Sequence, residues 1–285
     1  MNSNTTEIKI SASLVVYRPD FNVLRLTLKA LAVSGQKVCR HYPARLQLTL
    51  VDNSDDVSWF ECLDAWLKDR SEDMSCWDVD LRRSPGNIGY GRGNNLVIDR
   101  VESDYHIVIN PDLFVTPYSL VQALSFMDRS PDVGLLVPAV FGMDGTRHYL
   151  CKRNPTLFIL FLRSFAPAFI RARFRNVMDR FEMRDKDYGE MIDDVEFPSG
   201  CFMFFRTRLL KQVGGFDPDY FMYFEDADIG RKIRRIARIV YVPDVKVVHM
   251  WERGTHKEAR LRYTTIKSAL IYWRKHTLFH STYDS

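Results

Sequence analysis

Apolar side chains recur along the first half of the chain with two alternating periods. Short runs rich in β-branched residues, typical of strands, lie at residues 10–17, 46–54, 105–112 and 133–141. Stretches with apolar residues at helical spacing lie between them, at residues 23–35, 58–69 and 117–130. This β-α-β-α order predicts an α/β fold with a mainly parallel central sheet and helices on both faces.

Two of the predicted helices carry local signals at their ends. Gly35 follows the first helical stretch and is predicted to stop it, because glycine commonly follows the last turn of a helix. Ser58 stands before the second stretch and is the predicted N-cap. In sheets of this kind ligands bind beyond the carboxyl ends of the strands, so candidate ligand residues lie at 17–20, 52–54 and 110–112.

The second half of the chain has a different composition. Residues 151–191 are rich in arginine and aromatic side chains. Strand-like runs follow at residues 201–207 and 238–250, and a basic, aromatic helical stretch at residues 263–276 comes last. We see no internal repeat and no low-complexity segment.

An acidic segment follows an aromatic one in GGFDPDYFMYFEDADIGRKIRR, residues 214–235. Isoleucines at helical spacing predict a helix whose first turn holds Glu225 and Asp226. Compensation of the helix dipole is the simplest explanation for acids at this end. On a helical wheel, however, both acids flank the apolar stripe, where a carboxylate is a candidate general base. Asp228 lies further round and is predicted to be solvated.

The net charge, the cysteines and the N-terminal sequence indicate the location of the protein and argue against nucleic-acid binding. The 285-residue chain has a net charge of +4 and five scattered cysteines, none of them in a Cys-x-x-Cys pair. Such cysteines are typical of reduced thiols, so we expect a cytoplasmic protein. The polar N-terminus, MNSNTTEIKI, is unlike a secretory signal, and no apolar run reaches the roughly 18 residues of a membrane span. Nucleic-acid binding needs a denser basic stripe than this charge provides.

Four motifs together resemble a known enzyme family. They are VDNSDD at residues 51–56, RSPGNIGYGRGNN at 83–95, INPDLFV at 109–115 and the long segment from FPSGC to GRKIRR at 197–235. In order and spacing they resemble the family-two inverting glycosyltransferases, in particular the bacterial rhamnosyltransferases of cell-surface polysaccharide (O-antigen type) assembly. The resemblance covers residues 10–256.

The resemblance implies a fold of the GT-A type in a single domain, residues 1–285. Residues 8–150 would then form the nucleotide-sugar-binding half, and residues 151–256 would form a C-terminal extension on the acceptor side that carries the catalytic acids. A basic, aromatic helix at residues 257–285 would follow.

The resemblance also implies a nucleotide site. Asp52 would accept the ring N–H of a pyrimidine, and the glycines of the 83–95 motif would let the backbone approach the nucleotide. Arg18 stands where the family usually has asparagine. The glycine spacing does not fit the dinucleotide fingerprint G-x-G-x-x-G, which is the alternative for such a loop. The full implied nucleotide-binding set is Tyr17, Asp52, Asn53, Asn87, Gly89, Gly91 and Asn94.

A divalent cation, Mg²⁺ or Mn²⁺, is the implied cofactor. Asp112 of Asn-Pro-Asp takes the place of the commoner Asp-x-Asp metal motif, and it would bridge the cation to the donor diphosphate with help from Asn110. His249 matches a family position that contacts the metal or the diphosphate. A plain β-turn is the alternative for Asn-Pro-Asp, and a structural role is the alternative for a lone histidine.

The acidic pair matches the family's catalytic base. Asp226 would take the proton of the acceptor hydroxyl, with Glu225 as its orienting neighbour, in one displacement that inverts the sugar. Tyr220, Phe221 and Tyr223 are candidates for stacking on the sugar rings, with core packing as the alternative. The implied donor is dTDP-L-rhamnose, and the implied acceptor is a glycan or a polyprenyl-diphosphate-linked glycan.

Two segments are candidate contacts with the inner-membrane surface. Residues 157–175 are apolar with a cationic end, and residues 266–279 combine aromatic and basic side chains, as interfacial helices do. Ordinary surface helices or a homodimer contact are the alternatives.

Three other functions are kept open. The same fold could use a UDP- or GDP-hexose, or serve as a non-catalytic nucleotide-sugar or glycan binder. A nucleotidyltransferase would carry glycine and lysine after the first strand, where YRPDFN has neither.

Overall fold

The computed structural model describes residues 7–69, 74–164, 166–250 and 259–277. The described strands are β1 (Ile8–Val16), β2 (Ala44–Asp52), β3 (Trp77–Arg83), β4 (Tyr105–Ile109), β5 (Leu113–Val115), β6 (Val133–Phe141), β7 (Arg147–His148), β8 (Phe202–Arg206) and β9 (Arg238–His249). The described helices are α1 (Phe21–His41), α2 (Val57–Lys68), α3 (Tyr90–Ile98), α4 (Ser119–Arg129), α5 (Leu157–Ser164), α6 (Ala168–Arg173), α7 (Arg175–Phe181), α8 (Thr207–Gln212), α9 (Glu225–Arg234) and α10 (Ala259–Thr277).

These strands form one 9-stranded sheet in the order β3-β2-β1-β4-β8-β6-β9-β5, with β7 paired to β6. β1 runs parallel to β2 and β4, and β2 runs parallel to β3. β6 and β9 form a further parallel pair. The sheet is therefore mostly parallel, and the predicted α/β class is confirmed.

Helices cover both faces of the sheet. Alternate residues of its strands point to opposite sides, so each face packs in a core of its own. On one side, Ile107 packs in a core with residues of α1, α2 and α4. On the other side, Val108 packs in a second core with residues of α3, α8 and α9. Both residues are fully buried, as central strands require when both faces are covered.

The second half of the chain enters the sheet at its centre. β8 lies antiparallel between β4 and β6, with Phe204 opposite Ile107 on one side and Leu136 on the other. β5 is also antiparallel to β9. Residues from both halves of the chain therefore build one sheet, and β8 brings the segment that precedes it to the edge where β4 ends.

Two predicted helix ends were wrong. α1 continues past Gly35 to His41, and a Cβ at Gly35 would lie 2.3 Å from the Trp77 indole nitrogen. Gly35 is therefore required by the packing of β3 against α1 and does not end the helix. The N-cap of α2 is Asp56, whose carboxylate accepts the N–H of Ser58.

A third apolar cluster joins helices of the second half. Ile159 of α5, Phe181 of α7 and Tyr272 of α10 pack around Tyr220 and Phe224, which precede α9. α10 corresponds to the predicted basic, aromatic helix, and residues 251–258 and 278–285 of those predictions lie outside the described part of the chain.

Candidate active site

Asp52 ends β2 at the carboxyl edge of the parallel strands. Its side chain is fully buried, and Oδ1 accepts the N–H of Ser54 at 3.0 Å. Oδ2 is also buried and has no hydrogen-bond partner among the described residues. A buried acceptor without a donor costs about 1–3 kcal/mol, so this oxygen is suited to receive an N–H from a ligand.

Asn53 directly follows β2, and its side chain binds the loop that follows β3. Its amide oxygen accepts from Ser84 Oγ at 2.9 Å and from the Ile88 N–H at 3.1 Å. Its amide nitrogen donates to Asn87 Oδ1 and to the Gly89 carbonyl, both at 3.2 Å. These bonds occupy the whole amide, so Asn53 shapes the loop at residues 84–89.

Asp55 ties the end of β1 to the same loop, and the sequence-based assignment did not include it. Its carboxylate accepts from Tyr17 Oη at 3.0 Å and from the Asn87 N–H at 3.2 Å. Arg18 pairs with it at 3.6 Å, and the guanidinium lies 5.2 Å from the centre of the Tyr17 ring. Arg18 adopts a φ of 47°, which is uncommon for a residue with a side chain. Tyr17 and Asn87 are thus brought together, with Arg18 beside them.

Two glycines of the 83–95 motif, Gly89 and Gly91, are packed closely against protein on the side where a Cβ would stand. Gly89 has a φ of 92°, and a Cβ there would lie 2.1 Å from the carbonyl oxygen of Phe221. A Cβ at Gly91 would lie 3.0 Å from Cβ of Phe216 and 3.6 Å from Cβ of Glu225. The lack of a side chain at both positions lets α3 pack against the segment that begins α9, and the approach of their backbone to a nucleotide stays a prediction.

Asn94 lies inside the fold. It is fully buried, its amide oxygen accepts from Ser13 Oγ at 2.6 Å, and its amide nitrogen donates to the Tyr90 carbonyl at 3.0 Å. Ser13 Oγ in turn lies 3.0 Å from His106 Nε2. The predicted nucleotide contact at Asn94 is therefore replaced by a structural role between α3 and the sheet.

A turn with two residues of positive φ directly precedes the acidic pair. Tyr223 and Phe224 have φ angles of 69° and 67°, and α9 begins at the next residue. Residues with side chains rarely adopt this conformation, which costs on the order of 1–3 kcal/mol each and recurs at functional sites. The turn sets Glu225 and Asp226 in the first turn of α9, as predicted from the isoleucine spacing.

The two acids have different surroundings. Glu225 is 5% exposed, and its Oε2 is buried without a hydrogen-bond partner in the described ranges. Burial, and then the charge of Asp226, raise the pKa of Glu225 to about 8. Burial also raises the pKa of Asp226, but the charge of Lys152 and the N–H groups of Gly200 and Ala227 oppose that shift. The N–H groups and the ammonium therefore favour the charged form of Asp226, and Glu225 has no such partner for its buried oxygen in the described part of the chain.

Asp228 is not solvated, contrary to prediction. It is 1% exposed, and its carboxylate lies 2.8 Å from His276 Nε2 and 3.1 Å from Lys232 Nζ. His276 belongs to α10, so Asp228 fixes that helix to α9. The helical wheel correctly predicted that Asp228 lies away from the isoleucines. The sequence does not show that α10 covers it.

Asp112 and His249 lie side by side. Leu113 of β5 pairs with His249 of β9, and Asp112 Oδ1 lies 3.2 Å from His249 Nε2. The side chains are 34% and 10% exposed, respectively. No cluster of three or more His, Cys, Asp or Glu suited to a metal occurs among the residues that the structure describes. Two protein ligands fit a cation that takes its other oxygens from a substrate diphosphate and water, as Mg²⁺ commonly does.

Cys201 connects the metal candidates to the acids. It lies at the start of β8, and its carbonyl accepts the Asn110 N–H at 2.9 Å. Burial raises the pKa of its thiol to about 11, and the charges of Asp112 and Asp226 both add to the shift. The neighbouring Gly200 donates its N–H to Asp226 Oδ2 at 3.1 Å, so two adjacent residues before β8 link the segment of Asn110 to the start of α9.

Tyr90 is a further site residue that sequence reasoning missed. Its hydroxyl donates to the Gly200 carbonyl at 2.7 Å, and burial raises its pKa well above the usual value, with Cys201, Glu225 and Asp226 contributing. Its backbone N–H donates to the Phe221 carbonyl at 3.0 Å. Its position between two glycines of the motif was the available signal.

The predicted aromatic wall is only partly present. Tyr220 is fully buried in the third apolar cluster, so it cannot stack on a sugar and the prediction for it is corrected. Phe221 and Tyr223 are half-buried and remain partly accessible. Tyr223 also packs against the third cluster.

Comparison with known families decides the class of protein. Residues 38–265 match the family described as "Glycosyltransferase like family 2". The chain belongs to glycosyltransferase family 2. The resemblance stated from the four motifs is thereby confirmed.

The family 2 chain is similar to two proteins named as rhamnosyltransferases. One is the N-acetylglucosaminyl-diphospho-decaprenol L-rhamnosyltransferase of Mycobacterium tuberculosis, 29% identical over 64% of this chain and 62% of the relative. The other is rhamnosyltransferase WbbL of Escherichia coli K12, 24% identical over 58% of this chain and 62% of the relative. The match thus spans less than two thirds of each relative's length.

Solved structures confirm the GT-A type of fold. The mannosyltransferase PcManGT of Pyrobaculum calidifontis, in complex with GDP-Man and Mn²⁺, has a TM-score of 0.58 and is 16% identical, covering 91% of this chain and 61% of its own. GalNAc-T7 with UDP, GalNAc and Mn²⁺ has a TM-score of 0.63 and is 14% identical, covering 95% of this chain and 48% of its own.

Proposed function

We propose that this family 2 protein transfers a sugar from a nucleoside diphosphate to an acceptor hydroxyl, with inversion at the anomeric carbon. The observation that carries the proposal is the unequal acid pair at the start of α9. Asp226 accepts the N–H of Gly200, and the next residue, Cys201, accepts the N–H of Asn110, two residues before the candidate metal ligand Asp112. A base and a diphosphate site brought together at one edge of the sheet suit glycosyl transfer.

The donor base binds at the end of β2. The unpartnered Oδ2 of Asp52 accepts the ring N–H of uracil or thymine. Tyr17, which is 43% exposed and held by Asp55, lies beside it as a surface for the ring. Asn53, Asn87 and Gly89 act by shaping the loop.

The donor diphosphate binds near Asp112 and His249. These two residues would hold a divalent cation, which when bound offsets the charge that develops on the departing diphosphate. Mn²⁺ in the mannosyltransferase and GalNAc-T7 structures supports a cation of this kind. Asn110 fixes the geometry here through its backbone N–H to the Cys201 carbonyl.

Asp226 is the base. It removes the proton of the acceptor hydroxyl as that oxygen forms a bond to the anomeric carbon, and the bond from that carbon to the diphosphate breaks on the opposite face. Glu225 stays neutral, because two adjacent carboxylates in a buried site do not both ionise readily. The proton held by Asp226 then leaves to solvent, and the nucleoside diphosphate is the second product.

The proposed donor is dTDP-L-rhamnose, and the proposed acceptor is a polyprenyl-diphosphate-linked glycan. The names of the mycobacterial and Escherichia coli relatives support rhamnose, and the first also supports a lipid-linked acceptor. A UDP- or GDP-hexose is the second candidate, because S. aureus TarS with UDP-GlcNAc and the mannosyltransferase with GDP-Man share the fold.

The proposed location is the cytoplasmic face of the inner membrane. Phe158, Phe161 and Phe169 of α5 and α6 are 44%, 50% and 74% exposed, respectively. Arg171 and Arg173 follow on α6. Within the described residues, no helix combines the length and apolarity of a membrane span. Exposed aromatics beside arginines suit the surface of an anionic bilayer.

Calorimetry with dTDP-rhamnose, dTDP, UDP-galactose, UDP-N-acetylglucosamine and GDP-mannose tests the proposal. We expect tight binding of dTDP-rhamnose that weakens with EDTA and with Asp112→Ala. Preference for a UDP-sugar would change the donor and keep the chemistry. Absence of binding by every nucleotide sugar would support a non-catalytic glycan binder, and binding without turnover would support a non-catalytic nucleotide-sugar binder.

A further inference from the structure

Residues 217–224, the entry segment of α9, form neither a helix nor a strand. They nevertheless set the position of the acid pair, because α9 begins directly after them. The last two residues of the entry segment, Tyr223 and Phe224, have positive φ, and such backbone persists only where surrounding contacts impose it. The contacts that other elements make with this segment therefore decide where the acids lie.

α3 binds the backbone of the entry segment. Arg92 Nε donates to the Pro218 carbonyl at 2.6 Å, and the Tyr90 N–H donates to the Phe221 carbonyl at 3.0 Å. Both acceptors are main-chain oxygens, so these bonds fix the path of the chain at residues 218 and 221. They do not involve the side chains of the entry segment or its last three residues.

α10 binds the parts of the entry segment that these bonds leave out. Lys275 Nζ lies 2.6 Å from Oδ2 of Asp217 and 2.6 Å from Oδ2 of Asp219. Ser268 Oγ donates to the Met222 carbonyl at 2.8 Å. Because one ammonium binds both carboxylates, Lys275 ties the start of the entry segment to α10 by charge-assisted hydrogen bonds.

The spacing of these residues along α10 puts the contacts on one face of the helix. Ser268, Tyr272 and Lys275 are four and then three residues apart, which is the repeat of a single helix face. Tyr272 is buried, and its ring packs at 5.5 Å against the ring of Phe224, the last residue before α9. One face of α10 therefore contacts the entry segment at its start, at Met222 and at its end.

α10 also contacts α9 itself. His276, the residue after Lys275, lies 2.8 Å from Asp228 of α9. The acid pair at residues 225 and 226 lies in the chain between Phe224 and Asp228, and α10 contacts both of these residues. The helix thus holds the chain on both sides of the acids.

We propose that α10 positions the base, with Lys275 as its positioning residue. Its ammonium acts through Asp217 and Asp219 and so holds the entry segment from which Asp226 follows. This inference rests on the proposed function, in which Asp226 is the base. Loss of the ammonium should slow the chemical step and leave donor binding unchanged, because the proposed donor site lies at the end of β2 and the start of β5.

Transfer kinetics of three variants test this role. For Lys275→Met we expect kcat to fall about tenfold or more with an unchanged donor KM, because a displacement of about 1 Å at a reacting group can cost roughly 10²-fold in rate. Lys275→Arg keeps a cation that can bind two carboxylates and should restore most of kcat. Lys68→Met on α2 is the control, because Lys68 also lies 2.6 Å from a carboxylate, that of Asp64.

Hydrogen exchange separates positioning from a general loss of structure. In Lys275→Met the amides of residues 217–224 should exchange faster, while those of the central strands keep their wild-type protection. Calorimetric titration with the donor should still show full occupancy of the variant. If Lys275→Met does not fold, Ser268→Ala, which removes one hydrogen bond to the same segment, should show the same changes in kcat and exchange.

Three results would overturn the assignment: wild-type kcat in Lys275→Met, an equal loss in Lys68→Met, or no recovery in Lys275→Arg. Faster exchange spread over the whole sheet would also overturn it, since the lysine would then support the fold in general. If wild-type protein transfers no sugar, the proposed function fails. The exchange of residues 217–224 would still decide whether Lys275 holds the entry segment.

Discussion

At the scale of single residues, Glu225 and Asp226 show how one helix turn gives two neighbouring acids different hydrogen-bond partners. Neighbours along the chain point to different sides of a helix, so only one of them receives N–H groups from Gly200 and Ala227. Glu225 has a buried oxygen without such a donor. The difference in hydrogen bonding therefore supports Asp226 as the proposed base.

Substitution of the pair separates a base from a neutral neighbour. Asp226→Asn should lower kcat about 10²–10⁴-fold, the usual contribution of a general base. Glu225→Gln should retain activity within about tenfold, because an amide resembles the neutral carboxyl. Steady-state transfer assays measure both. Wild-type turnover by Asp226→Asn, or an equal loss in both variants, contradicts the assignment.

The same pair predicts how stability depends on pH. The pKa of Glu225 is about 8 in the folded protein against 4.5 for an ordinary glutamate, so the native state holds a proton that the unfolded chain releases. The free energy of unfolding should therefore fall as pH rises from about 4.5 to about 8, by at most about 1.4 kcal/mol per pH unit. Urea unfolding of wild type and Glu225→Gln checks this. The glutamine variant should lack the slope, and identical profiles for the two proteins refute the prediction.

Residue roles were predictable only where a motif fixes them. Asp52 and Asp112 lie where parallel strands reach the carboxyl edge of the sheet, and Asp112 lies 3.2 Å from His249, while the roles of these residues stay predictions. Asn94 and Tyr220 belong to the same motifs but lie inside the fold. The sequence does not show which side of α3 meets the Ser13–His106 network, and it does not show that α10 covers the aromatic segment.

At the scale of elements, the start of α9 depends on its contact with the start of α3. The Phe221 carbonyl fits into the space where Gly89 lacks a side chain, and it accepts the Tyr90 N–H. Two successive residues in the left-handed region follow, and α9 begins. The position of the acids is therefore set by a backbone contact between two elements far apart in sequence.

Gly89→Ala tests this contact, with Gly145→Ala as its control. Both glycines have positive φ, 92° and 77°, but only at Gly89 would the new Cβ meet backbone. We expect Gly145→Ala to cost about 1 kcal/mol from backbone strain alone, and Gly89→Ala to cost more and also to lower kcat. Urea unfolding and transfer assays provide the two readouts. Equal costs with unchanged kcat would show that the contact does not position the acids.

Element ends were less predictable than the elements themselves. Gly35 is of the residue type that most commonly ends helices, but here the indole of Trp77 occupies the space beside it. The cap of α2 lies two residues before the predicted Ser58. At Gly35 the deciding contact is tertiary. At the start of α2 it is a local hydrogen bond that several nearby residues could make.

At the scale of the whole molecule, the relative direction of the strands follows from the sequence in the first half and not in the second. The β-α-β-α pattern predicts parallel neighbours for β1, β2 and β4, because each crossover is a helix. β8 has no such local signal, since its orientation depends on which strands it joins. Its antiparallel position between β4 and β6 brings Gly200 and Cys201 to the site.

Both segments predicted to contact the membrane carry exposed apolar side chains, which would together form the membrane-facing surface. Phe169 of α6 and Leu270 of α10 are 74% and 65% exposed, and α5 and α10 share the third apolar cluster. If this surface meets a bilayer, Phe169→Ser with Leu270→Ser should weaken binding to vesicles that contain anionic lipid. The transfer of one such side chain contributes about 1.5–3 kcal/mol, or roughly 10–100-fold in binding for each.

Vesicle co-sedimentation measures this binding, and Leu26→Ser on α1 is the control because Leu26 is also exposed, at 44%. Neither change should alter stability much, since the side chains are already in water. Added salt should weaken the binding of wild type, because Arg171 and Arg173 would meet anionic lipid only through screened charges. The proposed membrane contact would be wrong if wild-type protein did not bind anionic vesicles. It would also be wrong if the variants bound them as tightly as wild type. The acid pair and the diphosphate site would keep their roles in either case, because none of their residues lies on this surface.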